Sequence, residues 1–134
     1  MRDIKFTIEV DNISGSEFGN MNDRLHNIEH IGHTIGEYEC LSKAFTFYPK
    51  NKLIDENEYG MLIKALMKLS ELFPSATFKV NLNNRTTNGL WIDYYHNGTI
   101  ESCYAKVVYP EPKNVSWTHT WTYQEEYTLK HGKL

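Results

Sequence analysis

Residues 55–73, DENEYGMLIKALMKLSELF, decide the fold. Asp55 can accept the first free backbone N–H groups of a helix. Glu58, three residues on, can reach back to the cap, so the spacing predicts a capping box and a helix start. Tyr59, Leu62, Ile63, Leu66, Leu69 and Phe73 then recur at helical spacing, with Lys64, Lys68 and Glu71 on the opposite side, until Pro74 stops the helix. A helix with one apolar stripe must bury it, and the flanking segments alternate as strands do, so a sheet is the expected partner.

Working outward toward the N-terminus, residues 3–10, DIKFTIEV, alternate strictly, with Ile4, Phe6, Ile8 and Val10 on one face, and predict a half-buried strand. The segment DNISGSEFGN breaks that pattern. Met21, Leu25, Ile28 and Ile31 return at helical spacing before Gly32 and predict a short helix over 20–31. Within 37–48 one strand is expected, centred on AFTFY.

Beyond Pro74, Phe78, Val80 and Leu82 alternate with polar residues, and a long, mobile NNRTTNG loop is expected to return the chain to LWIDYYH. Asn97-Gly98 tolerates the positive φ of a type I′ turn, which predicts a tight hairpin between LWIDYYH and TIESCYAKVVY. Val115, Trp117, His119, Trp121 and Tyr123 alternate and predict a further strand, and the end is expected to fray.

These elements predict an α+β domain over 1–123 and a C-terminal tail over 124–134. The domain is one antiparallel or mixed sheet of about five to six strands with two helices on one face. The first four elements are compatible with a ferredoxin-like arrangement carrying an added C-terminal hairpin. A length of 134 residues suits one core, and 23% charged with 40% apolar residues describes a globular chain. No apolar run approaches the roughly 20 residues needed to span a bilayer. The N-terminus alternates rather than showing a signal-peptide core, so a cytoplasmic protein without membrane contact is expected. Cys40 and Cys103 lack CxxC spacing and read as reduced thiols, and the four Asn-x-Ser/Thr triplets are not expected to be glycosylated.

A net charge of −3 argues against a wholesale grip on a phosphate backbone and favours a protein partner with a basic surface. The candidate contact residues are aromatic: Trp91, Tyr95, Tyr104, Trp117, Trp121 and Tyr123, joined by Arg85 from the loop. Only one sheet face can lie under the helices, and exposed Trp and Tyr anchor interfaces because they bury much area with few rotatable bonds. Such rings also stack on unpaired bases, so a single-stranded nucleic-acid-binding domain using Tyr95, Tyr104 or Trp117, with Lys79, Arg85 and Lys106 on phosphates, is the first alternative. The chemistry-bearing pattern is His26-Asn27-Ile28-Glu29-His30, H-x-x-E-H, with His33 beyond it. On a helix His26 and His30 would share a face, as zinc hydrolysis requires, which makes a zinc-dependent hydrolase the second alternative. Beside the apolar face of a short helix, solvated histidines are the expected reading and no metal or other cofactor is expected. Asp93 and Glu101, on adjoining hairpin strands, form a candidate carboxylate pair, with ordinary solvation preferred. The composition, small, acidic, Asn-rich and aromatic-rich without a catalytic signature, is similar to that of accessory proteins of phages and mobile elements, among them inhibitors of host defence and immunity proteins. The expectation is a non-enzymatic binding protein that blocks a host protein such as a nuclease or toxin. The pattern does not fix the oligomeric state, and a homodimer is allowed.

Overall fold

The computed structural model describes residues 1–41, 44–50 and 52–104. The strand expected around 115–123 and the tail over 124–134 lie outside the described residues. Among the described residues six strands and two α-helices follow one another as β1 (Ile4–Asp11), α1 (Gly15–His26), β2 (Ile35–Leu41), β3 (Ala44–Pro49), α2 (Glu56–Leu72), β4 (Thr77–Asn84), β5 (Gly89–His96) and β6 (Thr99–Tyr104). They form one antiparallel sheet in the order β2-β3-β1-β4-β5-β6. Because each neighbouring pair is antiparallel, β1 and β2 are parallel but separated by β3, and β3 and β4 are parallel but separated by β1. This is the split βαβ pattern, with the β5–β6 hairpin added beside β4. No helix of the described residues is long and apolar enough to cross a membrane.

α2 forms as its sequence requires. Asp55 accepts the Glu58 N–H at 2.7 Å and Glu58 accepts the Asp55 N–H at 3.0 Å, so both halves of the capping box are present. Leu62, Leu66, Leu69 and Phe73 are buried against Ile4, Phe6, Ile8, Val10, Phe78 and Val80. Burying such side chains is worth roughly 1.5–3 kcal/mol each and is what holds helix to sheet. The Asn97-Gly98 turn has φ of 45° and 81°, as a type I′ turn demands, and pairs His96 with Thr99.

Three sequence expectations are corrected. α1 spans Gly15–His26 rather than 20–31. Ser14 caps it, accepting the Glu17 N–H at 3.3 Å while donating to the Glu17 carboxylate at 2.8 Å, and Asn27 closes it. Ile28 and Ile31 pack from the turn that follows, where Gly32 lies so close to the His26 carbonyl that a Cβ would meet it at 2.1 Å. Residues 37–48 carry parts of two strands rather than one, because β2 precedes β3 with a register shift between Ile35 and Tyr38. The β4–β5 connection is a short, internally bonded turn, not a long loop: Asn84 pairs with Gly89, and the Asn84 side chain accepts the N–H groups of Thr86 and Thr87, both at 3.0 Å.

Candidate functional site

At β5 the core carries a polar chain where an apolar row would be expected. Leu82–Trp91–Tyr104, Val80–Asp93–Ser102 and Phe78–Tyr95–Ile100 are cross-strand rows over β4, β5 and β6. The helices cover this face, and Asp93 and Tyr95 are fully buried. A buried carboxylate needs partners. Tyr59, in the first turn and a half of α2, donates to Asp93 Oδ2 at 2.5 Å, and Ser102 donates to Oδ1 at 2.6 Å. The Tyr95 hydroxyl stands 3.5 Å from Oδ2. The Tyr59 oxygen in turn accepts the indole N–H of Trp91 at 3.0 Å. Burial, reinforced by the Asp93 hydrogen bond and charge, pushes the Tyr59 phenol far above its ordinary value, although the Trp91 hydrogen bond pulls the other way. Burial, then the charge of Asp93, raises Tyr95 likewise. Tyr59 and Tyr95 therefore keep their protons, and both hydroxyls are directed at Asp93 Oδ2.

The consequence of this chain is to fix an aromatic ledge. Trp91 is half-buried, with its indole nitrogen held by Tyr59 and its ring edge-on to the Tyr59 ring at 5.8 Å. Tyr104, opposite it on β6, stacks at a centroid distance of 6.4 Å and 29°. Tyr104 is 59% exposed. The Trp91 indole is thus held by a hydrogen bond, and the exposed Tyr104 ring stacks on it.

The structure divides the aromatic set named from the sequence. Trp91 and Tyr104 meet; Tyr95 is fully buried and is no contact residue, because it shares the helix-covered face with Asp93. Trp117, Trp121 and Tyr123 lie outside the described residues. Asp93 does not face Glu101: its cross-strand neighbour is Ser102, while Glu101 opposes Tyr94 on the other face. Of the cations expected on phosphates, Lys79 pairs with Glu9 at 3.7 Å, Arg85 is exposed in the β4–β5 turn, and Lys106 lies outside the described residues.

The histidines do not form the motif's site. His26 ends α1, with Nδ1 2.9 Å from the Asn22 carbonyl and Nε2 3.0 Å from that of Gly36. His30 follows the helix in a left-handed conformation, φ 69°, beside Glu29 at 3.4 Å, and His33 is exposed in a 3₁₀ turn at Gly32–Thr34. The helical face that would aim His26 and His30 at one ion ends at His26. Among the described residues no group of three or more His, Cys, Asp or Glu could hold a metal. Cys40 and Cys103 are free thiols, the first exposed, the second buried on the face away from the helices.

What sequence reasoning missed is the Tyr59–Asp93–Ser102 chain. The available signal was the acidic residue in LWIDYYH, which a two-residue Asn97-Gly98 turn places directly opposite a serine. No protein-family model matches the chain, and no curated protein or solved structure matches it.

Proposed function

We propose that this protein is a non-enzymatic binding module whose Trp91–Tyr104 ledge docks on a protein partner and covers that partner's functional surface. The supporting observation is the exposed, stacked Tyr104 ring on an indole held in place by Tyr59 and Asp93. Rigid Trp and Tyr side chains are the residue types that concentrate binding energy at interfaces. A net charge of −3 suits a partner with a basic groove, such as a nuclease of a host cell in whose cytoplasm an accessory protein of a phage or mobile element would act.

Affinity capture with the full chain is expected to recover one stoichiometric protein, and Tyr104→Ala, an exposed position, is expected to abolish recovery while leaving the unfolding midpoint unchanged. Recovery that is indifferent to Tyr104→Ala sinks the ledge as the contact. Quenching of tryptophan fluorescence by short single-stranded oligonucleotides, weakening steeply with salt, would instead select the nucleic-acid reading.

A further inference from the structure

Three cations that lie far apart in sequence converge at one end of the sheet. Ile4 is bonded on one side to Ile54, through N–H···O contacts of 3.0 and 2.9 Å, and is paired on the other with Asn84. This brings together Lys5, which follows Ile4; Lys52, two residues before Ile54; and Arg85, which follows Asn84 and donates its N–H to the Asp3 carbonyl at 2.7 Å. All three line one cleft of about 520 Å³, whose other walls are Tyr48, Pro49 and Leu53. Tyr48 follows Phe47 of the helix-covered face and so points to the same side as Lys5. It is 41% exposed.

Like charges gathered in one cleft repel, and no carboxylate among the described residues forms an ion pair with any of the three. Asp55 and Glu58 are taken up by the α2 capping box, and Arg2 holds Glu58 at 3.4 Å. One phosphate carries about two charges at neutral pH, fewer than three cations can neutralise, whereas a di- or triphosphate matches them. The planar fork of Arg85 suits bidentate phosphate contact, and the exposed Tyr48 ring offers a stacking surface at the rim. Thr86 and Thr87 already give their N–H groups to Asn84, so these contacts fall to side chains rather than to a backbone cradle.

We propose that the Lys5–Tyr48–Lys52–Arg85 cleft binds a nucleoside di- or triphosphate, with the phosphates on the three cations and the base on Tyr48. The proposal stands independently of the Trp91–Tyr104 ledge. Calorimetric titration of the full chain with ADP, ATP and GTP at low salt is expected to show saturable binding that weakens about tenfold or more in Lys52→Ala or Arg85→Ala, both exposed positions that leave the fold intact. Inorganic pyrophosphate is expected to compete, and unphosphorylated adenosine is not. Tyr48→Ala is expected to weaken nucleotide but not pyrophosphate. Absence of binding to any of these anions overturns the proposal, as does binding that is unchanged in both cation variants. Equal affinity for pyrophosphate and ATP would overturn the nucleotide in favour of inorganic polyphosphate. A single-stranded oligonucleotide that binds more tightly than ATP, and depends on Arg85, would overturn it in favour of a nucleic-acid strand.

Discussion

The Tyr59 hydroxyl stands between Trp91 and Asp93, accepting from the indole at 3.0 Å and donating to the carboxylate at 2.5 Å. It joins the first turns of α2 to β5 and gives the buried Asp93 side chain a hydrogen-bond partner. Tyr59→Phe leaves the Trp91 N–H and one Asp93 oxygen short of a bond and is expected to destabilise the fold by roughly 1–3 kcal/mol. Asp93→Asn should cost a similar amount, and the double variant less than the sum, because both changes break one chain. Denaturant unfolding of the four species measures this; strict additivity would show that the chain does not act as a unit.

Alkaline pH tests the same cluster. Tyr95 is raised above its ordinary 10.0 by burial and then by Asp93. The folded chain therefore holds a proton that the unfolded chain releases near pH 10. Stability from this source is fully present below about pH 10 and is lost above it, at up to about 1.4 kcal/mol per pH unit. Tyr95→Phe, measured from about pH 8 to about 12, is expected to lose stability less steeply than the parent above pH 10 and in parallel with it below. Parallel curves throughout would mean that Tyr95 titrates as it does in the unfolded chain.

How much of this was legible in the sequence depends on whether each signal is local. α2 could be read because its cap, stripe and stop all lie within twenty residues of one another, and the β5–β6 hairpin because Asn97-Gly98 specifies its own turn. The start of α1 was hidden by the glycines of SGSEFGN, although Ser14 and Glu17 carry the S-x-x-E capping signature. β2 escaped because IGEYECL carries a glycine, two glutamates and a register shift, as an edge strand does. LWIDYYH is mixed in either parity, so alternation could not show that Asp93 is the buried member; that depends on Tyr59, 34 residues away. The cation cleft is equally non-local, since it follows from how Ile4 pairs with both Ile54 and Asn84.

Gly98 is required at its place twice over. Its φ of 81° is costly for any residue with a Cβ, and a Cβ there would meet the Glu71 side chain at 2.7 Å. Its N–H also goes to the Ser70 hydroxyl at 2.7 Å, tying the hairpin tip to the end of α2. Gly98→Ala is expected to cost about 1–2 kcal/mol. In a Glu71→Ala background the contact is relieved but the backbone strain remains, so a smaller cost should persist. If the cost vanishes there, the penalty is steric alone.

The histidines give the last test, because the structure separates residues that the H-x-x-E-H spacing would unite. Both His26 nitrogens face backbone carbonyls, of Asn22 within α1 and of Gly36 in β2, and the ring packs edge-on to Phe47 at 5.8 Å. His26 thus ties the end of α1 to the sheet edge, and His26→Ala is expected to cost about 1–2 kcal/mol. His30 is exposed beyond the helix end, and His30→Ala should stay within ~0.5 kcal/mol. The double variant should then match His26→Ala, with stability lost through a missing strut rather than a missing metal. Zinc added to protein prepared without a tag is expected to leave Tm unchanged. A zinc-dependent rise in Tm that disappears when either histidine is replaced would reverse this assignment, since only a shared ion could couple a helix-end ring to one that lies outside the helix.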